Sequence, residues 1–235
     1  MNYRNSLNYD YWKMLWDTKS HIVVDYPIVS QNLQTFWKEL CPYPGYHYKI
    51  LVPLCGQTLD MLWMASQNCT VVGIEYYELP IKSFFDDNNI KYTSFMSKGK
   101  HPVYQSLDKR IKIFYQDFLT FELELSEEKF DCVWDRGSLV AIQEHFRQKY
   151  IDKILSLVKS NFRWLIESVY YDKTKYSGPP RCISTEEFQA LVCENKLKFK
   201  TLQTRIYEQK LGNSAWANEH VTLFEPSLES CLLFS

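Results

Sequence analysis

Lys49-Ile50-Leu51-Val52-Pro53-Leu54-Cys55-Gly56 is a short apolar run closed by a glycine, and Thr70-Val71-Val72-Gly73-Ile74-Glu75 is a second run closed by an acid. Between them lies a helix-length stretch at about 58–66, and a second such stretch follows at about 79–88. Continuous apolar runs of this length read as strands covered on both faces, since a strand wetted on one face would alternate. The unit is therefore βαβα. Further strands are expected at 111–115, 130–134 and 164–170. Between the last two, Phe146, Tyr150, Ile151, Ile154, Leu155 and Val158 give a helix over about 144–158 its apolar stripe. Ser184 with Glu187 three residues on forms a capping-box start, and strand-like runs follow at about 198–207 and 220–224. The pattern predicts an α/β fold: a doubly wound, mostly parallel sheet with one antiparallel strand near an edge. Upstream, two helices are expected at about 7–19 and 29–40, separated by HIVVDYP. Tyr11, Trp12, Leu15 and Trp16 make one aromatic face on the first. The segment 95–107, with Gly99 and Pro102, is expected as an exposed excursion.

The 235 residues are 46% hydrophobic and 23% charged, with 7 Gly and 9 Pro, which excludes disorder and collagen and fits one domain over 1–235. Lys plus Arg number 27 against 28 Asp plus Glu, so no global field recruits nucleic acid or an anionic membrane. Seven scattered cysteines, with no CxxC pair and no histidines at ligand spacing, argue for reduced thiols and for no metal. The start MNYRNSLNYDYW lacks the apolar core of a signal peptide, and no run is long enough to span a membrane. A cytoplasmic monomer acting on a small molecule is expected.

In such sheets ligands sit beyond the carboxyl ends of the strands. Gly56 there lets the backbone approach a ligand, and Glu75, nineteen residues on, stands where an acid accepts hydrogen bonds from two ribose hydroxyls. A dinucleotide needs three glycines around its pyrophosphate, whereas Gly56 stands alone before Gln57, Thr58 and Leu59. That disfavours a nicotinamide-dependent oxidoreductase. S-adenosylmethionine, which has no phosphate, suits a single-glycine turn better.

Four blocks narrow the class. VPLCGQTLDMLW (52–63), VVGIE (71–75), FDCVWDRGSLVAI (130–142) and YDKTKYSGPP (171–180), in this order and spacing, resemble the thiopurine S-methyltransferase family. The resemblance implies a Rossmann-like class I methyltransferase fold with a seven-stranded sheet ending in a C-terminal hairpin. It also implies a helical cap over 1–45 that closes on an α/β core over 46–235. The cofactor implied is S-adenosylmethionine, with S-adenosylhomocysteine as product. By the same resemblance Trp12 packs on the cofactor, Leu54 and Gly56 contact its methionine part, Glu75 holds the ribose, and Asp117 and Phe118 frame the adenine. Arg136 faces the methyl donor or the acceptor and is the expected catalytic residue, stabilising an anionic acceptor. Asp117 is also placed to cap the turn QDFLTF, and Asp135 to brace Arg136 as an ion pair.

On the acceptor side, Pro179 in Gly178-Pro179-Pro180 is expected to close one wall of the pocket. The chain departs from the family at two acceptor positions. Val23-Val24 stands where many relatives carry Phe-His, and Lys210, in YEQKLGNSAW, stands near a family arginine and lacks its planar fork. The first expectation is methylation of thiopurines, aromatic thiols or related soft nucleophiles. Alternatives are a halide, thiocyanate, selenium or tellurium methyltransferase on the same fold, or a non-catalytic protein that binds the cofactor.

Overall fold

The computed structural model describes residues 9–18, 28–124, 127–194, 197–206 and 218–227. The expected βαβα unit is β1 (Lys49–Pro53), α4 (Asp60–Ser66), β2 (Thr70–Glu75) and α5 (Glu78–Asp87), preceded by α1 (Tyr9–Asp17), α2 (Gln31–Thr35) and α3 (Trp37–Leu40). After it come β3 (Tyr92–Met96), β4 (Pro102–Ser106), β5 (Ile111–Tyr115), β6 (Phe130–Arg136), α6 (Arg147–Leu157), β7 (Val158–Tyr170), α7 (Thr185–Glu194), β8 (Leu197–Ile206) and β9 (Asn218–Pro226). The strands form one sheet in the order β3-β4-β5-β2-β1-β6-β7-β9-β8. From β5 to β7 all neighbours are parallel, while β9 runs antiparallel between β7 and β8.

Alternation along β1 shows why the runs are continuous. Ile50 and Val52 pack with Met61, Met64, Ile81, Phe84 and Phe85 of α4 and α5, while Leu51 points to the other face, into the layer with Tyr150, Ile151 and Ile154 of α6. Helices thus cover both faces, and each buries a stripe at i, i+3, i+4 spacing, such as Ile81, Phe84 and Phe85 in α5. The start of α7 carries the expected cap, with Ser184 Oγ accepting the Glu187 N–H at 3.2 Å.

The seven expected strands are present, and an antiparallel pair, β3 and β4, extends the sheet to nine. The expected excursion at 95–107 is thus a hairpin. Its Gly99 and Pro102 lie in the turn and at the first residue of β4, positions a strand tolerates. Val103 and Tyr104 bury on opposite faces of β4 and anchor it.

Gly73 in β2 answers a packing demand. A Cβ there would lie 2.6 Å from Cys55 Sγ and 3.1 Å from Met61 Sδ. Its absence lets the turn after β1 close down on β2.

Candidate active site

The chain winds from β1 one way to β2 and later the other way to β6, so the switch point of the sheet lies at the carboxyl end of β1. The turn there is tight, with Leu54 at φ 44° and Gly56 at φ 50°. Leu54 occupies a left-handed conformation that branched residues rarely adopt, which is the kind of local strain found at ligand sites. Three hydrogen bonds hold the turn against β2 and β6: Cys55 N–H to Ile74 O at 3.1 Å, Gly56 N–H to Glu75 Oε2 at 2.9 Å, and Ser138 Oγ–H to Pro53 O at 2.6 Å.

Glu75 is 7% exposed, and its other oxygen accepts the Tyr77 N–H at 2.9 Å. Burial pushes its pKa up, and the backbone donors of Tyr77 and Gly56 oppose the shift. Each carboxylate oxygen has a second lone pair. A desolvated carboxylate with one backbone donor per oxygen therefore fits the paired hydroxyls of a ribose. Beside it, Gln116 N–H donates to Glu75 O at 2.9 Å, which sets Asp117 next along the rim of the crevice.

The expected residues separate into groups. Leu54, Gly56 and Glu75 form one hydrogen-bonded corner. Asp117 caps its turn, accepting the Leu119 N–H at 2.8 Å. The Phe118 side chain is 2% exposed and packs in the core on Tyr150, ring centroids 5.1 Å apart. It follows an extended Asp117 and opens a short 3-10 turn, which aims the ring at α6. Trp12 is half-buried on α1, edge-on to Tyr11 at 5.5 Å, with Leu15 and Trp16 buried on the same helix. Asp10 and the Lys13 backbone of this helix act on the Tyr77 hydroxyl beyond β2, and Tyr11 acts on Tyr176 and Arg181 beyond β7. Val23 and Lys210 lie outside the described residues.

Asp135 does not brace Arg136. Its Oδ1 caps the turn after β6 by accepting from Ser138 N and Leu139 N at 3.2 and 3.1 Å, and its Oδ2 accepts from Tyr150 OH at 2.7 Å. Full burial pushes its pKa up to about 6. Arg136 turns the opposite way, as alternation along a strand requires. Its Nη1 lies 3.3 Å from Asp60 Oδ2 and its Nε 3.2 Å from Glu167 Oε2.

Asp60 and Glu167 went unmarked in the sequence. Asp60 is 0% exposed and also accepts from Trp134 Nε1 at 2.8 Å and Ser30 N at 2.7 Å. Glu167 Oε1 accepts from Ser30 Oγ at 2.7 Å and Asn32 Nδ2 at 2.9 Å. A lone carboxylate in each of the apolar stretches LDMLW and WLIESVY was the available signal.

Pro179 is buried in its loop, and its carbonyl accepts from Tyr176 OH. Arg181 ties that loop to the turn after β6, its N–H donating to Val140 O at 2.7 Å and Nη1 to Ala141 O at 2.6 Å.

Solved structures with this fold include the Burkholderia thailandensis 1,6-didemethyltoxoflavin-N1-methyltransferase, with TM-score 0.63 and 13% identity over 94% of this chain and 88% of that one. Another is the magnesium protoporphyrin IX methyltransferase of Synechocystis, with TM-score 0.58 and 13% identity over 96% and 94%. Fold and crevice together define a class I S-adenosylmethionine-dependent methyltransferase. Within that class the chain belongs to the thiopurine S-methyltransferase family, whose model matches residues 7–226. It is 33% identical to the thiopurine S-methyltransferase of Mus musculus over 186 residues, covering 77% of this chain and 75% of that protein. It is 32% identical to that of Vibrio cholerae serotype O1 over 182 residues, covering 77% and 79%. No helix among the described residues is long and apolar enough to cross a membrane.

Proposed function

We propose that the chain methylates the sulfur of thiopurines, aromatic thiols or related soft nucleophiles, and that the corner made by Gly56 and Glu75 holds the methyl donor. The observation that carries this reading is the 2.9 Å bond from Gly56 N–H to Glu75 Oε2, which joins the strained turn after β1 to the buried acid after β2. Bound S-adenosylmethionine supplies a methyl group on a positively charged sulfur, open to in-line attack. The protein's tasks are then to orient the two partners and exclude water. Glu75 holds the ribose, Leu54 and the Gly56 backbone meet the methionine part, and Asp117 marks the adenine side. Trp12 on α1 closes over the crevice, so that residues 1–45 act as a cap on a single unit. Arg136, fixed by Asp60 and Glu167, faces the acceptor, and the loop of Pro179 walls it in. A thiolate attacks without a general base at neutral pH, so Asp135, buried behind the turn, serves structure.

Five buried free thiols among the described cysteines, Cys41, Cys55, Cys69, Cys132 and Cys182, favour a reducing, cytoplasmic setting. A near-neutral charge favours a protein that binds neither nucleic acid nor membrane, and the chain is proposed to act as a monomer. The test is calorimetric titration with S-adenosylmethionine, then methyl transfer to thiopurines, aromatic thiols and iodide in competition. Binding with preference for the thiols supports the reading. Preference for iodide moves it to the halide alternative, and binding without turnover moves it to a non-catalytic role.

A further inference from the structure

The polar cluster at the carboxyl ends of β6 and β7 holds more acid than base. Asp60, Glu167 and Glu219 face Arg136 and Arg205, with Arg205 paired to Glu219 and Asn32 bridging Glu167 to Glu219 at 2.9 and 3.1 Å. The two carboxylates beside Arg136 differ in kind. Asp60 is built into the scaffold by the Ser30 N–H and the Trp134 indole. Glu167 lies in an antiparallel pairing with Val221 of β9 and in register with Arg136 of β6, so its oxygen meets the guanidinium edge directly. Its charge offsets that of Arg136 where an incoming anion would otherwise do so.

We infer that Glu167 is a specificity-determining residue, which by neutralising Arg136 selects uncharged heteroaromatic and aromatic thiols over acceptors that carry a fixed negative charge beside the sulfur. The inference rests on the proposal that Arg136 faces the acceptor. An anion entering beside Arg136 must either displace Glu167 or sit near it. In a half-buried site, repulsion between unit charges a few ångströms apart is worth a factor of ten or more in affinity. Burial and the nearby charge of Glu219 push the Glu167 pKa up while Arg136 and Ser30 oppose the shift, so the carboxylate already carries a cost that a second anion would increase.

The test compares 2-mercaptobenzoate with its methyl ester as acceptors for wild type, Glu167→Gln and Glu167→Asp. Glutamine keeps the size and an oxygen for Ser30 and Asn32 but removes the charge. The kcat/KM ratio of anionic to neutral acceptor should rise about tenfold in Glu167→Gln, mainly through KM, and stay near wild type in Glu167→Asp, with the dissociation constant for S-adenosylmethionine unchanged.

Glu167→Met is a second neutral variant, and urea midpoints report whether each variant folds. If neither thiol is turned over, the same ratio is read from calorimetric binding of the two methyl thioethers with S-adenosylhomocysteine present. A ratio that stays fixed in a folded neutral variant overturns the inference while leaving the methyltransferase intact. Failure of the wild type to bind S-adenosylmethionine refutes the site reading itself, and this inference with it.

Discussion

Replacing Gly73 by alanine tests the central corner through a residue that no ligand needs to touch. The added Cβ would stand 2.6 Å from Cys55 Sγ, 3.1 Å from Met61 Sδ and 3.2 Å from Cys55 Cβ. Ordinary contact lies at roughly 3.5–4 Å, so the sulfur overlap is about an ångström. Met61 can swing its thioether aside. Cys55 has a single side-chain torsion, and its Cβ, itself 3.2 Å from the added carbon, is fixed to a backbone tied by Cys55 N–H to Ile74 O at 3.1 Å. The turn or β2 must move instead, and overpacking of this kind costs about 1–3 kcal/mol. That is a sizeable part of a total stability of about 5–15 kcal/mol. The shift also passes to the next residue, whose N–H holds Glu75, so affinity for S-adenosylmethionine should fall roughly tenfold. Urea unfolding reads the first effect and calorimetry the second. In the double variant Gly73→Ala with Cys55→Ala the cysteine sulfur is gone and the remaining contacts are 3.1 Å to the mobile Met61 Sδ and 3.2 Å to the Cβ of residue 55, so the two changes should be coupled by about 1 kcal/mol in favour of the pair. A Gly73→Ala protein within about 0.5 kcal/mol of wild type, or strict additivity in the double variant, would refute the steric account.

Three further outcomes are expected. Glu75→Gln sets an amide N–H against one of two backbone donors and should weaken S-adenosylmethionine binding at least about tenfold; an unchanged dissociation constant removes Glu75 from the site. Asp60→Ala strips the acceptor from Ser30 N–H, the Trp134 indole and Arg136, and should cost about 3–5 kcal/mol in urea unfolding, with a loss under about 1 kcal/mol contradicting its scaffold role. For Asp135, whose pKa is raised from 3.8 to about 6, the folded state binds the proton more tightly than the unfolded one. The stability that this supplies is complete below pH 3.8 and lost as pH rises through about 6. Relative to wild type, Asp135→Asn should therefore gain on the order of 3 kcal/mol between pH 3.5 and 7, and a pH-independent difference would rule out the buried carboxylate as cause.

The core strands were legible because helices cover both faces of β1, β2 and β6, which forces continuous apolar runs. The corner of Gly56 and Glu75 was legible because each ends such a run. The hairpin of β3 and β4 was hidden because its strands are short, the outer one is exposed, and Gly99 and Pro102 look like loop residues out of context. The direction of the Phe118 ring was not legible for a local reason: a motif position places the backbone after β5, but the 3-10 turn after Asp117 decides where the ring points. Arg136 was legible as a charge at a strand end, yet its partners were not. Asp60, Glu167 and the pair Ser30 and Asn32 come from three separate stretches of chain, and only the folded sheet and the return of α2 bring them together.

The added hairpin changes which part of the molecule forms its margin. In a seven-stranded sheet β5 would be the outer strand, and the segment leading to Asp117 would hang from a ladder bonded on one side. Here β5 is paired with both β2 and β4, and the outer position passes to β3, four of whose five residues are exposed. Fraying at that margin, where backbone bonds meet solvent most often, can run through β3 and still leave β4 between it and β5. The hairpin is a sacrificial border: local melting spends itself two strands away from the side of the crevice where the adenine is proposed to lie.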